Sequence, residues 1–212
     1  HPLAGYVAGR GGVLGAASGV TVASVFSIFE PNTIVGLWDQ GVAVRGAAGA
    51  ARVYNDQVAD FGRKYLAGAD GTDRIAELGE KIIAATPAGG LPMFAGWRTM
   101  PLAEDAPARA LQVMFVLREL RGDVHFSALS LSDIAPVEAH MLHGGEEYTR
   151  MFGWPEPFVD GTDKKERYDE VERATNDRMA EIFAAALTLD EAQELARLSA
   201  AALESLKAAV PA

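Results

Sequence analysis

The chain has 212 residues and a formal net charge of −10, and 49% of its residues are hydrophobic while 23% are charged. This composition is typical of a globular protein with its own core, and the acidic balance argues against non-specific attraction to nucleic-acid phosphates or anionic lipid. Because the chain has no cysteine, it forms neither disulfides nor thiolate-ligated metal sites, and we expect a reducing, cytoplasmic location.

The N-terminal part is predicted to be a loop followed by helices. The chain starts at His1 with neither an initiator methionine nor a signal pattern, so we expect a further segment upstream. Glycine-rich residues 1–15 predict a loop. The apolar run at 18–29 predicts a buried helix, which Pro31 separates from a short helix through Trp38. No segment of about 18 residues is uniformly apolar, so we expect no membrane-spanning helix.

The remaining sequence alternates helical patterns with short breaks. Thr72 and Thr188 are predicted N-terminal caps, the latter in a capping box with Glu191. A helix after Ser132-Asp133 is predicted to stop at Gly144-Gly145, and a single helical turn is predicted at 92–97. Apolar residues at helical spacing predict the other helices, over 43–66, 72–86, 104–131, 163–187 and 189–208.

These patterns contain no convincing strand, so the predicted fold class is all-α. We expect a single multi-helix domain in which residues 1–154 form the core. Residues 155–163 are a predicted loop. Residues 164–212 form a helical pair that packs either on this core or, as a dimerisation arm, on a partner subunit. Because closed two-fold pairs are the commonest oligomers, we expect a homodimer.

The stretch RGDVHFSALSLSDIAPVEAHMLHGG at 121–145 holds three of the four histidines. His140 and His143 are three residues apart and share a helix face, so they are the candidate ligands if a metal binds. However, the sequence has neither H-E-x-x-H nor a repeated Glu-x-x-His pattern. We therefore expect no metal and no cofactor. We expect both histidines to be partly exposed in the last turn before Gly144, where the helix dipole favours a protonated imidazole.

The start of this stretch predicts a ligand pocket. Gly122 is expected to break the helix, so that the polar groups Arg121, Asp123 and His125 must satisfy one another at a buried turn. We expect His125 to face an interior pocket, with Asp123 beside it or beside Arg10. Trp97 belongs to the aromatic segment 92–97, which is either pocket wall or ordinary core.

Several strings resemble those of an actinobacterial family described as SalK-like or simply as helix-turn-helix proteins. They are YVAGRGGVLG at 6–15, FSIFEP at 26–31, LPMFAGW at 91–97, and LRELRGDVHFSAL followed by EAHMLH and FGW. The family motifs map onto Tyr6, Ala8, Gly9 and Arg10, then onto Arg121, Gly122, Asp123 and His125, and then onto His143. The resemblance covers residues 1–154. It implies a helix–turn–helix unit after Trp154, but this chain has only PEPFVDGTDKKE there, so we interpret that unit as deleted.

Three functions follow, in order of preference. The first is a small-molecule-binding helical protein with an interior pocket near the RGDVH segment. Its predicted ligand-binding residues are Tyr6, Arg10, Trp97, Arg121, Asp123 and His125. The second is an enzyme that uses His125 or His143 as an acid–base group or metal ligand. The third is the DNA-binding regulator that the family description implies, which the acidic charge disfavours.

Overall fold

The structure, a computed structural model, describes residues 2–209. Over these residues the protein is all-α, as predicted, and contains no strand. None of the described helices combines the length and apolar character that crossing a membrane requires. The helices are α1 (Pro2–Gly11), α2 (Gly19–Phe26), α3 (Pro31–Tyr65), α4 (Thr72–Ala85), α5 (Pro92–Trp97), α6 (Ala106–Ser130), α7 (Pro136–Met151), α8 (Lys165–Ala186) and α9 (Leu189–Ala209), with 3-10 turns at Gly12–Leu14 and Thr162–Lys164.

The chain divides into two compact units. Unit 1 comprises His1–Ala51 and Gly122–Asp177, and unit 2 comprises Arg52–Arg121 and Arg178–Ala212. Helices α3, α6 and α8 therefore each contribute residues to both units. One hydrophobic cluster of unit 1 joins the end of α6 to α7 and α8 through Leu129, Ile134, Ala139, Tyr168 and Val171.

The prediction of a loop over residues 1–15 is wrong, because Pro2–Gly11 forms α1 and a 3-10 turn follows it. The glycine and alanine residues let this helix lie very close to α3. A Cβ atom at Gly41 would collide with Ala4 and Ala8, and one at Gly12 would collide with the backbone of Ala47. Tertiary packing thus overrides the low helix propensity of the glycines in this segment.

Unit 1 continues with α2 and the first part of α3, which are joined by residues 27–30. Ser18 caps α2 by accepting a hydrogen bond from the Thr21 amide. Ser27 ends this helix with a φ of 50°. The short helix predicted through Trp38 and the helix predicted over 43–66 are assigned as one α3, whose backbone is non-helical at Arg45 and Gly46. The interruption therefore lies inside the second predicted helix and not after residue 38.

Helix α6 is assigned as one helix through Gly122, so the predicted break at this glycine is wrong. A Cβ atom at Gly122 would meet no atom within 4 Å, so no other backbone approaches it closely. The predicted stop at Gly144-Gly145 is confirmed as a break, since Gly145 has φ 70° and ψ −164° inside α7. The chain then resumes helical structure to Met151.

Unit 2 contains α4, α5 and α9 with parts of α3, α6 and α8. The predicted cap at Thr72 is wrong: Gly71, at φ 74°, precedes the helix, and Thr72 is its buried first residue. The predicted capping box of α9 is confirmed. The Glu191 carboxylate accepts from the Thr188 amide at 3.0 Å, and the Thr188 hydroxyl accepts from the Glu191 amide at 3.2 Å.

Candidate functional site

An apolar cavity of about 210 Å³ lies in unit 1, and we call it the aromatic cavity. Helix α1, the α2–α3 connection, the start of α3 and the end of α7 supply its walls. Its lining residues are Leu3, Tyr6, Val7, Phe29, Thr33, Ile34, Leu37, Met151 and Phe152.

The rings around the aromatic cavity contact one another. Phe29 lies at the centre of this arrangement, with its ring centroid 4.3 Å from that of Phe152, 5.5 Å from Phe26 and 6.3 Å from Tyr6. Phe152 is held in place by the backbone, because its carbonyl accepts a hydrogen bond from the Glu30 amide at 3.1 Å. Part of the cavity wall is therefore a packed set of aromatic rings.

The residues that follow α7 return to the α2–α3 connection. Gly153, at φ 89°, packs against the Thr33 side chain, which a Cβ atom at this position would overlap. The Trp154 indole donates a hydrogen bond to the Ile28 carbonyl at 2.9 Å. These two contacts hold the segment that follows Phe152 against the α2–α3 connection and the start of α3.

Arg10 and Tyr6 are neighbours on α1. The Arg10 guanidinium donates to the Tyr6 hydroxyl at 3.4 Å and lies over the Phe26 ring at 4.7 Å. Only 5% of Arg10 is exposed. Two of the predicted ligand residues are thus next to each other, and Tyr6 lines the aromatic cavity.

His140 is buried beside the same rings, with 2% of its surface exposed. Its imidazole stacks on Phe152 at 4.4 Å and lies 5.3 Å from the Tyr148 ring. The expectation that His140 is partly exposed is wrong, because the break at Gly145 redirects the chain so that Tyr148 and Phe152 cover it. Burial lowers the pKa of His140 to about 4, against the opposing effect of a hydrogen bond with the Ile28 backbone.

The other two histidines of the window belong to a chain of polar side chains, which we call the polar cluster. His143 is exposed, and its Nδ1 lies 3.3 Å from the Tyr168 hydroxyl. That hydroxyl donates to Glu172 at 3.4 Å. The Glu172 carboxylate is in turn 3.7 Å from Nδ1 of His125. The polar cluster therefore runs from an exposed imidazole to one whose side chain is only 14% exposed.

The tautomer of neutral His125 follows from Thr175, the last member of the polar cluster. The Thr175 hydroxyl donates to the Val171 carbonyl at 2.8 Å. It must therefore accept from Nδ1 of His125, which lies 3.2 Å away. Nδ1 of His125 carries the proton, and Nε2 is the basic nitrogen of this ring.

The sequence-based prediction missed Tyr168, Glu172 and Thr175. Tyr168, Val171 and Thr175 recur at helical spacing along the segment now labelled α8, and Glu172 follows Tyr168 by one helical turn. Polar members of an otherwise apolar stripe were the available signal. The partner helices, however, could not be identified without the fold.

The remaining predicted ligand residues are divided between the units. Asp123 is 5% exposed and belongs to unit 1 with Tyr6, Arg10 and His125. Arg121 is exposed and belongs to unit 2. Trp97 also belongs to unit 2, where it is 1% exposed.

Trp97 contributes to an aromatic group behind an open apolar groove in unit 2. Its ring centroid lies 4.7 Å from that of Phe115 and 5.7 Å from that of Tyr54. The groove has a volume of about 510 Å³. Its lining residues are Tyr54, Gln57, Val58, Phe61, Leu111, Met114, Phe115 and Arg118.

Within residues 2–209, no group of three or more histidine, aspartate or glutamate side chains is arranged to hold a metal ion. His140 and His143 share a helix face in sequence, yet one is buried under aromatic rings and the other is exposed. Their surroundings therefore differ, and no carboxylate completes a ligand set around them.

A family model described as a helix-turn-helix family matches residues 1–211. The chain belongs to this helix-turn-helix family. No match was found among curated proteins or among solved structures. The family assignment thus extends over both units, including the C-terminal helices beyond Trp154.

Proposed function

We propose that the protein binds a small, largely apolar molecule in the aromatic cavity of unit 1. The observation that carries this proposal is an apolar cavity with two hydroxyl groups, those of Tyr6 and Thr33, among its lining residues. Ligand sites are typically apolar and contain a few polar groups that orient the ligand. An apolar protein cavity of about 150 Å³ can hold benzene. The volume of about 210 Å³ therefore suits one ring with a short substituent.

The predicted ligand residues have different positions relative to the aromatic cavity. Tyr6 is a wall of the aromatic cavity, and Arg10 supports Tyr6 from one helical turn away. Asp123 and His125, in the same unit, are proposed as polar residues on its RGDVH side. Arg121 and Trp97 belong to unit 2, and their contact with the ligand stays a prediction.

A titration with 4-fluorotoluene tests the proposal through the methyl resonance of Met151, which lines the aromatic cavity. We expect a saturable shift in the wild-type protein. Leu3→Trp should abolish it, because Leu3 lines the cavity while 47% exposed and a larger side chain there fills the entrance. Leu131→Trp, at an 84% exposed position outside the lining, is the matched control. Equal affinity in both variants would contradict the assignment.

The enzyme hypothesis is the second candidate, and the polar cluster favours it. The polar cluster links the His125 imidazole through Glu172 and Tyr168 to the His143 imidazole. A histidine with such polar neighbours can act as a general acid or base. We propose Nε2 of His125 as the basic atom. The proton-abstraction probe 5-nitrobenzisoxazole tests this. Turnover that His125→Gln abolishes and His143→Gln reduces would support it, whereas a wild-type rate equal to that of buffer would contradict an accessible base.

DNA binding, which the family description suggests, is the third candidate. Most basic side chains of unit 1 and unit 2 that could contact phosphates form ion pairs with carboxylates of their own unit. These pairs include Arg63–Asp105, Arg74–Glu77, Lys81–Glu191, Arg109–Glu80, Arg150–Glu156, Lys165–Asp169, Arg167–Glu170 and Arg178–Glu181. Phosphate binding would have to compete with each of these carboxylates.

We further propose that the chain belongs to the SalK-like branch and lacks a helix–turn–helix unit after Trp154. The support is that residues 155–164 contain only a 3-10 turn at Thr162–Lys164 before α8 begins. Two helices do not fit into that length. A cytoplasmic location is part of the same proposal, because the chain has no cysteine.

A further inference from the structure

One buried atom of unit 1 has no hydrogen-bond partner. Among the described residues, Nε2 of His140 is the only buried side-chain nitrogen or oxygen in this condition. Buried polar groups of native proteins are almost always hydrogen-bonded, so an exception requires an explanation.

Nε2 of His140 is a hydrogen-bond acceptor. The imidazole hydrogen-bonds with the Ile28 backbone. Because Nε2 has no partner, the nitrogen engaged in this bond is Nδ1. This bond acts to raise the pKa of His140, so its backbone partner is an acceptor, the Ile28 carbonyl, and Nδ1 carries the proton. The same Ile28 carbonyl accepts from the Trp154 indole at 2.9 Å. Nε2 is left with a lone pair and no donor.

None of the aromatic neighbours of His140 donates a hydrogen bond to this nitrogen. The ring stacks on Phe152, which lines the aromatic cavity. It also contacts Tyr148 at 5.3 Å between ring centroids. His140 therefore packs against a ring that lines the cavity, and contact between Nε2 and a ligand there requires the Phe152 side chain to turn aside.

We propose that Nε2 of His140 accepts a hydrogen bond from the hydroxyl group of a phenol or alcohol whose apolar body occupies the aromatic cavity. This inference rests on the proposed function and names the ligand class of the same site. A carboxylate ligand is excluded because its oxygens and this nitrogen are both acceptors. A charged ammonium ligand is disfavoured, since burying an unpaired charge is far more costly than burying a neutral hydroxyl.

The test compares 4-methylphenol with 4-fluorotoluene, which has a similar shape but no donor. We expect the wild-type protein to bind 4-methylphenol about tenfold or more tightly, because a buried acceptor left without its partner penalises the analogue. In His140→Phe, which keeps a ring against Phe152, the two affinities should become equal. The exposed His143→Phe on the same helix should retain the preference.

The outcomes separate this inference from the proposed function. If both compounds bind the wild-type protein equally well, the aromatic cavity is confirmed and the role of His140 is wrong. If the preference for 4-methylphenol persists in His140→Phe, another acceptor is responsible and the inference is again wrong. If neither compound shifts the Met151 methyl resonance, the proposed function itself fails.

A second measurement needs no variant and so does not depend on whether His140→Phe folds. The ¹⁵N resonance of His140 Nε2 in the wild-type protein reports whether its lone pair accepts a hydrogen bond. We expect 4-methylphenol to move this resonance and 4-fluorotoluene to leave it nearly unchanged. A resonance unaffected by saturating 4-methylphenol would overturn the inference.

Discussion

At the scale of single residues, the burial of the His140 imidazole makes the stability of unit 1 depend on pH. In the folded protein, burial lowers its pKa from 6.5 to about 4, so the ring stays neutral at neutral pH. In the unfolded chain the ring titrates near its ordinary pKa. Between these two values only the unfolded chain binds the proton, and stability therefore falls as the pH decreases.

The resulting prediction concerns the free energy of unfolding between pH 7 and pH 4. With a difference of about 2.5 pKa units, His140 should account for a loss of about 3 kcal/mol over this range. Urea denaturation of the wild-type protein and of His140→Phe at both pH values measures it. The difference between the two proteins isolates His140 from the carboxylates that also titrate. Parallel pH profiles would contradict the prediction.

At the scale of elements, Gly5 in α1 and Gly12 in the 3-10 turn that follows it have opposite roles. Gly5 is an exposed helix residue whose added Cβ would meet no atom within 4 Å. Gly12 is buried, and its added Cβ would collide with the Ala47 carbonyl oxygen and would lie 3.0 Å from the Ala51 Cβ. The first glycine only weakens the helix, whereas the second permits the close approach of α1 and α3.

Alanine substitutions at these positions should change stability in opposite directions. Gly5→Ala should stabilise the protein by roughly 0.5–1 kcal/mol through helix propensity. Gly12→Ala should destabilise it by about 1–3 kcal/mol, because the backbone of α3 must move. Chemical denaturation at pH 7 measures both. If both substitutions changed the stability in the same direction, α1 would not pack on α3 through Gly12.

The N-terminus of α9 gives a second prediction at this scale. Thr188 and Glu191 satisfy each other's amides there, and Glu191 also receives a hydrogen bond from Lys81 Nζ at 2.5 Å. Thr188→Ala should cost about 1 kcal/mol of stability, and Thr188→Ser should restore most of it. Unfolding curves of the two variants measure this difference. An unchanged stability in Thr188→Ala would contradict the capping role.

For the molecule as a whole, the distribution of charge predicts little affinity for DNA. Helices α2 and α3 are joined by residues 27–30. The sequence has no lysine or arginine between Arg10 and Arg45, so α2 and the connection offer no basic side chain to a phosphate. The Glu30 carboxylate accepts from the Asn32 and Thr33 amides at 3.1 and 2.6 Å. The N-terminus of α3, where a phosphate would bind, thus already contacts a negative charge.

We therefore expect no binding to a short DNA duplex at micromolar protein concentration and roughly physiological salt. Fluorescence anisotropy with labelled duplexes measures this. Sequence-specific binding at nanomolar concentration would contradict the prediction and would favour the third candidate function. Any weak binding should decline steeply with added salt.

The homodimer remains a prediction for the whole molecule. The inward residues of α9, such as Leu198, are buried within the chain, while Leu189 and Leu203 are 73% and 47% exposed. These exposed leucines give α9 apolar surface for a two-fold contact. Light scattering should give twice the mass of the chain for the wild-type protein and for Leu131→Glu. It should give the monomer mass for Leu203→Glu. A monomeric wild-type protein would end the dimer prediction.

The fold class and most helix boundaries follow from the sequence alone. Their signals are local: Pro31, the Gly144-Gly145 pair and the Thr188–Glu191 capping box each act within a few residues. The sequence also located the histidine window, whereas the contact between Tyr6 and Arg10 depends on α1, a helix that the sequence did not predict.

Only the tertiary structure decided what surrounds those residues. Residues 2–11 form a helix because they pack on α3, and local propensity favours a loop there. His140 is buried because Tyr148 and Phe152 close over it after the break at Gly145. His125 and His143 are linked through α8, whose residues lie far away in sequence. Burial and hydrogen-bond partners depend on contacts between distant segments, and no local pattern contains that information.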